Sequence, residues 1–195
     1  IDDKEKVQRY LQMIKEENKR MHAQVENVLR ISKLEKNELD ISKEPRDVTE
    51  IIEDAIEHVS LIVEDREGQV HQHFNAQRNT ILLNEVHFTN VLVNILDNAI
   101  KYSPAAPIID VFTENIKDFI VIKIQDQGAG MSKVAQKRVF EKFYRVDSSR
   151  SSSTGGSGLG LAVAKEIVKV HKRTIDASSI DSKTTFRVIL PIDSN

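Results

Sequence analysis

The 195-residue sequence has no cysteine, no excess of either charge and no long apolar run. Without cysteine there can be neither a disulfide framework nor a thiolate metal site, which suits a reducing compartment. The 28 Lys+Arg and 30 Asp+Glu leave a formal net charge of -2, too balanced for the whole-surface basic footprint of a general nucleic-acid binder. Nucleic acid is therefore not expected as a partner. No stretch approaches the roughly 20 apolar residues of a membrane-spanning helix, and no signal-peptide pattern opens the chain, so these residues read as a soluble piece. Ile1 stands almost at the start of a helical pattern, and the chain is expected to be a fragment of a longer protein. Its length suits one ordinary domain with an extension, or two small domains, able to bury a proper core.

One further absence is local. "TGGSGLGLAVAKEIVKVH", 154 to 171, puts Gly155, Gly156, Gly158 and Gly160 just before an amphipathic helical pattern, like a phosphate cradle. A Walker-type loop ends Gly-Lys-Ser/Thr, because a lysine must reach the outer phosphates and a hydroxyl must hold magnesium. Here Gly160 is followed by Leu161. Either the glycines are only a hinge, or charge and metal ligand come from another part of the chain.

The chain opens with a heptad seam: Val7, Leu11, Ile14, Asn18, Met21, Val25, Val28 and Ser32 alternate in steps of four and three. So narrow a stripe among charged residues suits a helix packed on partner helices, with Asn18 placed to fix register. "LEKNELDISKEPRD" (34 to 47) breaks the periodicity with charge and Pro45, as a linker does. Residues 1–40 are accordingly read as a helical segment, 41–47 as linker and 48–195 as a separate domain. Asp47 and Glu50 read as a capping box for a helix with an apolar face at Ile51, Ile52, Ala55, Ile56, Val59 and Ile62. Strand patterns follow at "QVHQHF" and "TILL". A long helix is predicted from Glu85 to Tyr102 with Asn84 as N-cap, then strands at "IIDVFT" and "FIVIKIQ". Beyond the glycine-rich helix come "TIDASS" and "TTFRVIL". This order predicts an α+β fold, a mixed sheet with helices on one face in a two-layer sandwich.

The helix from Glu85 carries its chemistry opposite its apolar stripe. Asn90, Asn94, Asn98 and Lys101 fall at steps of four, four and three, on one line of the surface. Asparagine is a middling helix former, so three in line need a reason. A carboxamide offers oxygen to a hard cation such as Mg²⁺ and N–H to phosphate, and a lysine adds charge. "IQDQGAGM" sets Asp126 at the end of an apolar strand, before Gly128 and Gly130. Such a carboxylate can accept from an exocyclic amine like that of adenine, while the glycines leave room for a flat ring.

Taken in order, "NILDNAIKY", "DQGAG", "FEKFYRVD" and "GGSGLGLA" resemble the N, G1, F and G2 boxes of the catalytic domain of sensor histidine kinases. Those kinases belong to the Bergerat-fold superfamily, with the gyrase, mismatch-repair and chaperone ATPases. "NKRMHAQVENVLRISKLEKNEL" is similar to the second helix of their dimerisation and histidine-phosphotransfer hairpin. The resemblance implies Mg-ATP as ligand, with Asn98 as magnesium ligand and Asn94 and Lys101 near the phosphates. Tyr102 would lie beside the nucleotide, Asp126 would recognise adenine, and Gly128 and Gly130 would shape the pocket wall. Gly156, Gly158 and Gly160, with Leu159 and Leu161, would form the phosphate-side end of a lid. Phe140 and Phe143 would pin that lid, and Arg145 would bring charge to the γ-phosphate. The lysine and metal ligand missing from the glycine loop are thus expected on another helix.

Asn94, Lys101 and Arg145 are the residues expected to act in catalysis. Hydrolysing relatives carry glutamate at the position of Asn94, as general base towards water; an asparagine cannot take that proton. Transfer to a histidine is therefore favoured over an ATPase, with a purely nucleotide-binding module as the remaining alternative. The family's acceptor lies in a His-Glu-x-x-Thr-Pro context that none of the six histidines has. The acceptor is thus expected on a hairpin helix of the same protein outside these residues, with no autophosphorylation in isolation. A response-regulator receiver domain, a full-length homodimer and a cytoplasmic place beneath a bacterial inner-membrane anchor complete the implied picture. Two departures stand out: His171-Lys172-Arg173 and Asp181-Ser182-Lys183 occupy positions where the family has glycine-rich turns. Where φ stays positive there, each lost glycine costs roughly 1 kcal/mol. The family's aspartate ahead of the N box is Asn84, which keeps the capping function.

Overall fold

A computed structural model of the chain describes residues 3–36, 42–146, 157–171 and 173–192. It falls into two units, Ile1–Leu39 and Asp40–Asn195. In the first, α1 (Asp3–Glu35) is one continuous helix, along which Val7, Leu11, Ile14, Met21, Val25 and Val28 of the heptad seam are all exposed. No helix among the described residues is long and apolar enough to cross a membrane.

The second unit is built from β1 (Glu44–Asp47), α2 (Val48–Asp65), β2 (Gln69–Phe74), β3 (Thr80–Leu83), α3 (Glu85–Lys101), β4 (Ile108–Ile116), β5 (Phe119–Asp126), α4 (Lys133–Arg138), α5 (Gly160–Val170), β6 (Thr174–Ile180) and β7 (Lys183–Pro191). Five strands form a mixed sheet in the order β2-β4-β5-β7-β6, with β2 and β4 parallel and the other pairs antiparallel. Helices α2, α3 and α5 lie side by side against it, which is the two-layer α+β sandwich the pattern predicts. Strand parity sets the interface, because alternate side chains point to opposite faces. Ile120, Ile122 and Ile124 of β5 and Phe186, Val188 and Leu190 of β7 are buried. The same parity carries Asp126 to the buried side at the end of β5, opposite Thr184.

Two local readings are corrected. Residues 44–47, expected within a linker, are strand β1, paired antiparallel with β3. Four charged or proline-bearing residues give no alternation to detect, and Pro45 is tolerated because β1 belongs to a two-stranded ribbon with free edges. At the start of α2, Asp47 is the N-cap and accepts from the Thr49 N–H at 2.7 Å, while Asn79 donates to both its carboxylate oxygens at 2.9 Å. The cap is thus tied to the loop before β3. On α2 the buried stripe ends at Val63, whereas Ile62 is exposed.

Candidate active site

Helix α3 forms where expected: the Asn84 side chain caps it by accepting from the His87 N–H at 3.0 Å. Phe88, Val91, Leu92, Ile95, Leu96, Ala99 and Ile100 are buried, and each large side chain contributes roughly 1.5–3 kcal/mol when fully removed from water. On the opposite line the three asparagines form a ladder. Asn90 donates its amide nitrogen to the Val86 carbonyl at 2.7 Å, Asn94 to Asn90 at 2.8 Å and Asn98 to Asn94 at 2.6 Å. With each nitrogen turned back along the helix, the oxygen is the group each amide presents outward. Lys101 is half-buried at the end of this line, its ammonium 5.4 Å from the Tyr102 ring centroid. Burial lowers its pKa, neighbouring Arg145 lowers it further, and Asp97 acts against both.

Asp126 is 4% exposed, and burial pushes its carboxyl up to about 6 against the opposing pull of the Gly128 N–H, which donates to Oδ1 at 2.8 Å. A buried carboxylate with part of its acceptor capacity unused suits an amine-bearing ligand. The turn is closely fitted. A Cβ on Gly128 would lie 2.6 Å from Asp126 Oδ1 and 2.9 Å from the Tyr102 carbonyl oxygen, so only glycine fits unaltered. The Ala129 N–H donates to that same Tyr102 carbonyl at 3.4 Å, and the Tyr102 N–H donates to the Asn98 carbonyl at 3.0 Å. Asn98 and Asp126, the residues expected for metal and base, are therefore joined through Tyr102. Gly130, at φ 71°, faces Ser179, whose Oγ accepts from the Met131 N–H at 2.9 Å.

The glycine loop arrives at the same end of α3. A Cβ on Gly160 would lie 2.7 Å from Asn94 Oδ1, which places the start of α5 against the asparagine ladder. Leu159 is buried and gives α5 no side-chain cap, so its first amides are available to an anion. Leu161 is buried behind them. Gly158, at φ 67°, passes so close to Phe143 that a Cβ would lie 2.9 Å from its carbonyl carbon, and the Phe143 N–H donates to the Gly158 carbonyl at 3.0 Å.

Of the two phenylalanines expected to pin the lid, Phe140 packs its ring against the body, edge-on to Phe186 at 6.2 Å, with the Lys165 ammonium 5.9 Å from its centroid. The Phe143 side chain is 65% exposed, and only its backbone, at φ 62°, meets Gly158. Arg145 is half-buried near Lys101. Gly156 lies outside the described residues. The sequence reading missed the Tyr102 carbonyl as the joint between the two motifs; backbone acceptors leave no mark in residue type.

The chain is similar to known proteins in sequence and in fold. Residues 83–194 match the family described as histidine kinase-, DNA gyrase B-, and HSP90-like ATPase. The sensor protein RprX of Bacteroides fragilis (strain YCH46) is 37% identical over 186 residues, 94% of this chain but 36% of its own length. The solved structure of the mycobacterial sensor histidine kinase MprB aligns with a TM-score of 0.65 at 28% identity, over 76% of this chain and 97% of that one. Full-length ShkA in complex with AMPPNP, at 20% identity, shares the fold over 96% of this chain and 39% of its own, with a TM-score of 0.83. With 83–194 matched, the chain belongs to the histidine kinase-, DNA gyrase B- and HSP90-like ATPase family and carries the catalytic domain of a sensor histidine kinase.

Proposed function

We propose that this chain is the ATP-dependent kinase module of a two-component sensor, passing the γ-phosphoryl of Mg-ATP to a histidine outside these residues. The single observation that carries this reading is convergence. Asp126 through Gly128, Asn98 through Tyr102, and Gly160 against Asn94 all meet at the C-terminal half of α3.

The donor set suits the ligand. Asp126 accepts from the adenine amine, and Gly128 and Gly130 let the ring approach. Asn98 supplies a neutral oxygen for magnesium, and the described residues hold no group of three His, Cys, Asp or Glu side chains for a metal. Phosphate oxygens and water would suit magnesium as further ligands. When bound, the metal supplies charge neutralisation along the phosphates. Asn94, Lys101, Arg145 and the first amides of α5, at Gly160 and Leu161, orient and neutralise the phosphate tail. Phosphoryl transfer needs positioning and charge more than covalent participation by the protein. The acceptor imidazole nitrogen forms a P–N bond as the bond to the ADP oxygen breaks, and ADP leaves with the electron pair. Asn94 cannot deprotonate water, which favours this route over hydrolysis.

The exposed seam of α1 supports pairing with a second copy in a full-length homodimer, and the phosphohistidine would pass to a receiver-domain aspartate. A membrane anchor elsewhere in the sensor completes the assignment. Mixing the chain with a cognate histidine-bearing hairpin and γ-labelled ATP tests it. Label is expected on the hairpin and not on the chain alone; nucleotide binding with no transfer would leave only a binding module.

A further inference from the structure

We infer that Arg66, with the tight turn it opens, is a positioning residue of the nucleotide site, clasping the end of α3 so that the Tyr102 carbonyl meets the Asp126–Gly128 turn. The inference deepens the function proposed above and rests on it. Arg66 is the C-cap of α2. Its guanidinium donates from Nη1 to the Ile100 carbonyl and from Nη2 to the Ser103 and Ala105 carbonyls, at 2.7 and 3.0 Å. Two residues on, a Cβ at Gly68 would lie 2.5 Å from the Pro107 ring and 2.6 Å from its carbonyl oxygen. The Gln69 N–H then donates to that carbonyl at 2.8 Å. Arg66 and Gln69, at the two ends of a four-residue turn closed by Glu67 at φ 56°, thus grip four carbonyls between 100 and 107.

The gripped segment contains Tyr102, whose carbonyl receives the Ala129 N–H and sits against Gly128. Electrostatics gives the cation a second use. Lys101 and Asn98 work from the C-terminal end of a helix, where the aligned peptide dipoles present partial negative charge and oppose an anion. The Tyr102 N–H engages the Asn98 carbonyl, Ser103 Oγ donates to the Ala99 carbonyl at 2.8 Å, and Arg66 answers Ile100. A planar five-donor fork can span three carbonyls, whereas an ammonium cannot hold the same geometry.

The test uses the full 195-residue chain with Arg66→Met, Arg66→Lys and Gly68→Ala, titrated with ADP and Mg²⁺ well below each melting point. Arg66→Met is expected to raise the ADP Kd roughly tenfold, with Arg66→Lys recovering part of the loss. The ¹⁵N–¹H resonances of Gly128 and Ala129 should move in Arg66→Met before any nucleotide is added. Native ADP affinity in an Arg66→Met chain that merely melts earlier would overturn the inference, as would unmoved Gly128 and Ala129 signals. Should Arg66→Met not fold, Gly68→Ala decides: it keeps the guanidinium, displaces Pro107, and must weaken ADP and shift the same two resonances, or the clasp has no role in binding. A native chain that binds no ADP is a different result, removing the nucleotide site itself.

Discussion

At the scale of single residues, Asp126 is expected to couple nucleotide binding to pH. Its carboxyl titrates at about 6 in the folded chain, above the roughly 3.9 of an unfolded aspartate. A folded pKa above the unfolded one means that burial favours the protonated form. That contribution to stability is complete below about 4 and is lost as pH rises through about 6. An adenine amine needs the ionised acceptor, so nucleotide affinity is expected to fall as pH drops through about 6, with a proton released on binding near that pH. Calorimetric titration in buffers of different ionisation enthalpy reads this directly. Asp126→Asn should flatten the pH profile and weaken binding while raising stability at pH 7 by on the order of 1–3 kcal/mol, because an uncharged amide replaces a buried carboxylate. Gly160→Ala gives a second dissociation of the two properties. Alanine is the better helix former by about 1 kcal/mol, but the new Cβ displaces the Asn94 amide. Thermal melting should show no loss, and a nucleotide titration should show weaker binding.

At the scale of elements, the β6–β7 hairpin still holds the shape that glycine would favour. Asp181 and Ser182 occupy φ of 49° and 61° between the paired residues Ile180 and Lys183, both positive as a tight two-residue hairpin turn requires. Ser182→Gly is therefore expected to stabilise by about 1 kcal/mol in denaturant unfolding, without touching nucleotide affinity. At the other altered turn, Lys172 lies outside the described residues. Elements with strong periodicity or a cap are legible in the sequence: α3 through Asn84 and its apolar stripe, and β5 through its run of isoleucines. Helix α4 is not, since "KVAQKR" is too short to show a period and is marked only by Ser132, whose Oγ accepts from the Ala135 N–H. The site divides in the same way. Asn94, Asn98 and Asp126 are visible because their residue types are unusual where they stand. The Arg66 clasp is not, because bonds to carbonyls 34 to 39 residues away leave no trace in spacing.

At the scale of the whole molecule, two ends of one helix layer are brought to a common task. The glycine loop lacks the lysine and hydroxyl of a Walker site, and α3 presents Lys101 and Asn98 opposite it instead. In the proposed site, charge and metal ligand would come from one element and backbone amides from another, so that site would form only when the layer packs correctly. Core substitutions between α3 and α5 should accordingly cost binding as well as stability; Leu96→Ala, at a fully packed position, is expected to lose about 2–5 kcal/mol in unfolding. The claim that four stretches enclose one Mg-ATP is tested most directly by titrating ATP with and without magnesium into the native chain and into Asn98→Ala. The native chain should bind ATP more tightly with magnesium, and Asn98→Ala should lose that gain while keeping the magnesium-independent affinity held by Asp126. An equal magnesium effect in both chains, or no ATP binding by the native one, would contradict it.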